Sequence, residues 1–529
     1  MSHNERDMHD EADDSEPEML AADDALEEIE GGDADGDDVA MDSGDENDDN
    51  EELVLVNDSI AYFDQHKDSV FAIAQHPKFP ALVATGGSEG DADNAPGKGY
   101  VIDTSAAADR PLLPASYSSD PSAASQPQST ELTPLFAIDG HTDSINALAF
   151  TLPNGDFLVS GGLDGRMRVY GVAIGGGRVD FKFVGESQEV PEINWLAPCP
   201  GRDYPNTIAL GASDGSVWVL SIDPSADAAN PIQIVQSFFG HTAACTAGTW
   251  TADGNLLATV SEDSSLQVWD VWGVAAGRGL VPGGAQALLS MTGDDQRFEV
   301  PGGLYSVAVS PGGTLVAVGG AGGVIKVVTL PRLTGAQAAG TAGGKSAKQK
   351  GAAPRGAAAS SGSAAAEPAA FGTILASLEV QSDGVETLAF APPPLTLLAA
   401  GSVDGSIAVF DVTRSFALRR HIQKAHEDFS VVKVEWVKSA PASLTGGAAG
   451  VGGPAQWLLT SSGMDGVVRR WDLRKNVVPD KPGDNGMVKE WRGHRGDGEG
   501  GGVLGFVQGD TGERVVTAGD DGVVLVFEA

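Results

Sequence analysis

The sequence predicts an all-β fold, an eight-bladed β-propeller behind a disordered acidic N-terminal arm. Two observations carry the propeller and a third carries the arm. A small-residue run, an Asp-Gly-like turn and an apolar alternation return eight times along the chain. The copies recur roughly every 40 to 60 residues, the span of a four-stranded sheet that must bury its faces against neighbours. Residues 1–52 lack the motif and are dominated by acids.

Two copies show the motif in full. One is Ser160-Gly161-Gly162-Leu163-Asp164-Gly165, continuing to Tyr170; the other is Ser461-Ser462-Gly463-Met464-Asp465-Gly466, continuing to Trp471-Asp472. Further turns stand at Ser213-Asp214-Gly215, Glu262-Asp263-Ser264, Ala321-Gly322-Gly323, Val403-Asp404-Gly405 and Asp520-Asp521-Gly522. The first copy, Gly86 to Asp91, has its Asp displaced, and the fifth has none. Upstream of five turns sits a histidine: His66, His141, His241, His426 and His494. Histidine, turn aspartate and apolar strand in this fixed order resemble the WD-repeat signature, which implies an eight-bladed WD-repeat β-propeller.

In the fourth copy, His241, Ser261, Asp263 and Trp269 are expected to form one buried hydrogen-bonded network tying the turn to its blade. Such a network is tolerated only when each member is satisfied. The same structural duty falls to His141, Asp164, Asp404, His426, Asp465, Trp471, His494 and Asp521. This repetition argues against catalysis, because a nucleophile needs one unique constellation beside a cleft. The string Gly211-Ala212-Ser213-Asp214-Gly215 fits a nucleophile elbow in letters, but the elbow needs a helix next and Ser216-Val217-Trp218-Val219-Leu220 reads as a strand. No enzyme activity, cofactor or metal is expected.

Eight blades of about 45 residues leave part of the 529-residue chain for a tail and insertions. The domains read as an arm over 1–52 and a propeller over 53–529, interrupted by low-complexity insertions at 104–133, 331–372 and 440–455. Their Ala, Gly, Ser and Pro content marks flexible spacers. Gly343-Gly344-Lys345-Ser346 lacks the first glycine, the strand and the helix of a phosphate-binding loop. Lys345, Lys348, Lys350 and Arg355 read as a solvated linker, with a weak nuclear-import patch as the alternative.

Cys199 and Cys245, the chain's two cysteines, have no metal-ligand spacing and suggest a reducing compartment. Cys245 falls in an expected strand. No apolar run reaches the roughly 18 residues that cross a membrane, and the acidic start differs from a signal peptide. A cytoplasmic monomer, with nuclear residence as an addition, is the expected setting.

The arm holds 24 acids against Arg6 alone, about 23 of the 41 net negative charges, and too few apolar residues to offset the entropy of ordering. It reads as a solubilising tail or as a lure for a basic partner. By subtraction, residues 53–529 carry 32 bases and 50 acids. Such a body repels nucleic acid, whose binding depends on Lys and Arg neutralising phosphates. A basic protein or peptide is the natural complement.

In a propeller the loops gather on two faces around a central channel, where binding is usually carried. One face collects acids: Asp68, Asp143, Glu189, Glu192, Asp383, Glu386, Glu427 and Asp428 entering inner strands, with Glu89, Glu262 and Asp520 beside the turns. A rim of one sign focuses its field toward opposite charge.

The segments Glu189-Val190-Pro191-Glu192-Ile193-Asn194-Trp195, Gly384-Val385-Glu386-Thr387-Leu388-Ala389-Phe390 and Leu398 to Asp411 resemble the angio-associated migratory cell protein family. Its fungal members are dedicated chaperones of a basic large-subunit ribosomal protein, number ten, whose N-terminal segment they hold until it is loaded onto the pre-60S particle. The resemblance implies that role here, with Glu192 and Glu386 contacting Lys or Arg of the client and Asp143, Glu262, Asp383 and Asp428 widening the patch. It implies no direct nucleic-acid contact and no membrane partner. The alternatives are a general interaction scaffold, such as a ubiquitin-ligase substrate receptor or signalling adaptor, and a histone chaperone. No amphipathic docking helix supports the scaffold reading.

Overall fold

A computed structural model describes residues 57–90, 95–109, 129–281, 286–333, 371–439, 454–474, 486–495 and 501–529. The acidic arm, the basic cluster 345–355 and most of each expected insertion lie outside the described residues. Among the described residues there are eight sheets, seven of four strands and one of five. Their inner strands touch in sequence order and the eighth meets the first, which closes the ring. The eight-bladed propeller is thereby established.

Each blade alternates in the way its motif requires. In the second, the inner strand Ile145–Phe150 pairs with Phe157–Gly162, which pairs with Met167–Gly175, which pairs with Arg178–Ser187. The second strand is buried along its whole length because blades pack on both of its faces. Its small residues are needed for that packing. A Cβ on Gly161 would lie 2.8 Å from Ile193 of the next blade. The turn glycine, Gly165, has a φ of +72° and sits against the Val190 carbonyl, so both conformation and space demand glycine.

Each copy supplies the turn of one sheet, but the last sheet is not built from one continuous stretch of chain. The last sheet takes Val503–Val507, Arg514–Gly519 and Val524–Glu528 from the C-terminal end and closes with Ala61–Phe63 from the N-terminal end. Ala61, Tyr62 and Phe63 pair antiparallel with Val526, Leu525 and Val524. Ring closure is therefore a strand ladder between distant segments.

Insertion ends differ from their compositional reading. Thr104–Asp109 forms a 3-10 turn, and Thr130–Glu131 adds a parallel edge to Ala61–Phe63, with Leu132 buried beneath it. Leu333 is buried with the blade four and five core, and Pro454–Trp457 is a 3-10 turn. A few apolar residues at the borders of Ala/Gly-rich runs reach a core, and composition averages them away.

Candidate functional site

One backbone hydrogen bond recurs in every blade and defines the candidate face. The amide of the residue before the turn position donates to the carbonyl of a residue just ahead of the inner strand: Ser88 to Ser69, Leu163 to Ser144, Ser213 to Glu192, Glu262 to Ala244, Ala321 to Gly303, Val403 to Gly384, Met464 to Ser430 and Asp520 to Gly502, at 2.9–3.3 Å. Two loops of each blade are thus locked together around the channel mouth. In seven blades the inner strand then bulges by one residue, at Asn146, Asn194, Thr246, Tyr305, Glu386, Val432 and Leu504, and Phe71 holds the corresponding register in the first.

Each acid can be placed against this frame. Glu192 is a carbonyl acceptor, Glu262 and Asp520 are amide donors, and Glu386 is a bulge residue. Asp68, Asp143 and Asp383 share a third register, and each carboxylate accepts the next residue's amide at 2.7–2.8 Å. Three of the acids therefore hold equivalent positions and the others do not. Glu192, Glu262, Asp520 and Glu386 fall in other registers of the same rim, which the backbone ladder identifies.

Their electrostatic states differ as well. Glu192, Glu262, Asp383 and Glu386 are exposed and have no basic partner among the described residues. Asp428 already pairs with Lys424 at 3.2 Å. Glu89 takes the turn-aspartate position of the first blade, four residues after Thr85, and pairs with Lys67 at 2.7 Å. The first copy has thus replaced its turn Asp by Glu89 and not displaced it. Although Glu386 reaches solvent at the rim, the surrounding protein partly desolvates its carboxyl, and this, with Asp383 nearby, raises it above its ordinary value. A neighbouring cation would relieve that shift.

The structural sets lie directly below. In blade seven, Trp471 Nε1 donates to Ser461 Oγ at 2.9 Å, Ser461 is 2.7 Å from His426 Nε2, and His426 Nδ1 is 2.8 Å from Asp465. Each hydrogen then has one direction: indole to hydroxyl, hydroxyl to imidazole, imidazole to carboxylate. Burial keeps His426 neutral, only partly offset by Asp465. His141 bonds Ser160 and Asp164, and His494 bonds Thr517 and Asp521, in the same way. Asp404, in a blade where Gln381 stands in place of the turn histidine, accepts from the Ser382 and Ser406 amides.

Blade four departs from the expected set. His241 Nε2 meets Thr259 at 2.8 Å, which also receives Trp269 Nε1 at 2.9 Å, while His241 Nδ1 meets Ser265. Ser261 instead bonds the Ala243 carbonyl and the Asp263 amide. The hydroxyl serving each histidine lies four residues before the turn acid, as Thr85, Ser160, Thr259, Ser461 or Thr517. Where no histidine exists, that register holds Leu210, Val318 or Ala400. This co-occurrence was a sequence signal that nearest-serine reasoning missed. In blade five, a 3-10 turn over Ala321–Gly323 replaces the aspartate turn.

These buried sets spend their hydroxyls and imidazoles on holding turns. Cys245 is fully buried in its strand, and burial pushes its thiol up to about 12. Among the described residues no group of three or more His, Cys, Asp or Glu is placed to hold a metal, and no helix is long and apolar enough to cross a membrane. A cavity of about 950 Å³ opens at the opposite channel end, lined by both Lys438 and Arg514 and by Glu435, Asp510 and Glu513. Its mixed charge sets it apart from the acid rim.

The WD domain, G-beta repeat family matches residues 132–171 and 232–270. The Chaetomium thermophilum Sqt1, in a crystal structure bound to the N-terminus of the ribosomal protein L10, is 59% identical over 90% of this chain and 100% of its own, with a TM-score of 0.73. The chain belongs to the Sqt1 family. The unbound C. thermophilum Sqt1 agrees, at 59% identity and a TM-score of 0.72 over 90% of this chain and 98% of its own. The Saccharomyces cerevisiae ribosome assembly protein SQT1 is 32% identical over 45% of this chain and 47% of its length. The chain spans about half the length of the curated relatives it matches.

Proposed function

We propose that this Sqt1-family propeller is a dedicated chaperone of an L10-type ribosomal protein, capturing the client's basic N-terminal segment on its acid rim and delivering it during 60S subunit assembly. The observation that carries this reading is the 59% identity, over 90% of this chain and the whole of the other, to a Sqt1 crystallised with the L10 N-terminus. The rim chemistry supports it independently. Glu192, Glu262 and Glu386 stand exposed without basic partners among the described residues, and a carboxylate meeting Arg through two parallel bonds gains both strength and direction. One exposed pair contributes only about 0.2 to 1 kcal/mol, so capture uses several rim acids together. The work is binding alone, in the cytoplasm, with a transient pre-60S contact and no bond chemistry.

A pull-down of the full-length protein at about 0.15 M salt, read by mass spectrometry, tests this. Enrichment of one basic large-subunit protein without the rest of the ribosome is the expected result. Recovery of histones, ligase subunits or signalling proteins in its place contradicts it.

A further inference from the structure

The channel mouth is chemically divided, and the division follows the order of the blades. Asn146, Asn194 and Thr246, at the bulge register of blades two to four, are used by the fold. Each bonds a backbone carbonyl of the following blade: Asn194 for Asn146 at 3.0 Å, Cys245 for Asn194 at 3.1 Å and Leu304 for Thr246 at 2.6 Å. At the same register, blades seven, eight and one carry Val432, Leu504 and Phe71. The side chains of these three have no polar atom with which to bond the neighbouring blade. Phe71 is 42% exposed at the mouth, and Val432 and Leu504 are half-buried. Met464 extends the sector, since its Sδ and Cε lie where a Cβ on Gly502 would be.

Carboxylates border this apolar arc closely. Ser69, two residues before Phe71, donates its amide to Asp68 at 2.8 Å and its hydroxyl to Asp520 at 2.6 Å. Both acids are thereby fixed on Ser69 at the entry to the strand that follows Phe71, and Glu386 occupies the bulge register just before Val432 in blade order. An apolar centre inside a charged border is the arrangement of a binding hot spot, in which the centre supplies affinity and the border supplies orientation.

We propose that the Phe71–Leu504–Val432 arc is an anchor site for a bulky aliphatic or aromatic side chain of the basic client segment, one that stands next to Lys or Arg in the client sequence. The inference rests on the chaperone reading and adds to it a specificity determinant that charge does not supply. A uniformly basic segment satisfies the acids and leaves the arc exposed to water. A segment with a basic residue beside a large apolar one satisfies both, so the site distinguishes the client from other cationic chains.

The test is a double-mutant cycle with the full-length protein and a synthetic peptide of the client's N-terminal segment, followed by titration calorimetry. Each bulky apolar residue of the peptide is replaced in turn by Ser, and each peptide is measured against the wild-type protein and against Phe71→Ser. For one peptide position, affinity falls roughly tenfold or more with the wild type, as expected for losing a buried large apolar side chain, and less than twofold with Phe71→Ser. Leu504→Ser repeats the pattern, and melting temperatures confirm that the variants are folded. The peptide substitutions read on wild-type protein need no protein variant at all. Equal losses at every position in wild type and variant overturn the anchor while the chaperone reading stands, because the parent peptide still binds. No binding of the parent peptide to wild type overturns the chaperone reading and the anchor together.

Discussion

The carbonyl oxygen of Glu192 accepts a hydrogen bond from the amide of Ser213 at 3.3 Å, and seven other blades make the same bond between the same two loops. Glu192 is thus held by its backbone, while its side chain stands exposed. Position and charge are separable at such a residue. A substitution there changes what the rim offers without touching what builds it.

Exchanging Glu192→Lys together with Glu386→Lys removes two rim charges and adds two of the wrong sign. Client binding should weaken by at least about tenfold, roughly 1.4 kcal/mol. The melting temperature should stay within about 2 °C, as for surface changes away from structural bonds. Calorimetry and a thermal scan of the same sample check both halves.

Glu386 gives the interface a pH dependence. Its free carboxyl is raised by burial and by Asp383, and a client cation would lower it. The free protein then holds more protons than the complex just above pH 4.5, so binding releases protons there and affinity rises with pH through that window. Titration in two buffers of different ionisation enthalpy measures the release. Glu386→Gln should reduce it.

Thr259 and Ser261 should separate in their cost. Thr259→Val leaves His241 and Trp269 without their shared hydroxyl, a loss of about 1 to 3 kcal/mol for a buried unpaired group. Ser261→Ala removes a turn bond whose position is Gly162, Gly463 or Gly519 in other blades, and should cost about 1 kcal/mol or less. Chemical denaturation of both variants orders them.

Acid should destabilise the propeller in two stages. Burial lowers His66 to about 4 from 6.5, and His426 is lowered for the same reason. Their neutral forms are at home in the fold, so stability present above pH 6.5 is lost as pH falls toward 4, where the unfolded chain binds protons that the native chain does not. The turn carboxylates follow. Burial alone would raise Asp164 and Asp521, but bonds from His141 and His494 and from turn amides hold both below 3.8. Their contribution is lost as pH falls through those lowered values. A melting-temperature profile from pH 7 to 3 should show both slopes, and His66→Gln should flatten the upper one.

Repetition made the fold readable. The turns, the five histidines and the small residues of the second strands report local geometry that must recur in each blade, so one chain carries eight samples of the same constraint. Closure by Ala61–Phe63 was not readable, because pairing with Val524–Val526 is a long-range event with no local signature. The identity of the hydroxyl under His241 was missed because Ser261 lies nearer the turn, although strand register places Thr259 under the imidazole. The acids are legible in the sequence as residues entering inner strands or beside turns, whereas the register each one holds depends on the strand ladder, which has no local signature. The apolar arc at Phe71, Val432 and Leu504 was invisible for a related reason. A single Phe, Val or Leu entering a strand reads as core until the bulge places it at the mouth.

The most direct test of the central claim is calorimetric titration of the full-length protein with the client's N-terminal peptide at about 0.15 M salt, beside the Glu192→Lys, Glu386→Lys variant. Saturable one-to-one binding by the wild type, lost in a variant that melts at the same temperature, is the predicted result. Equal binding by both would show that the acid rim is not where the client is held.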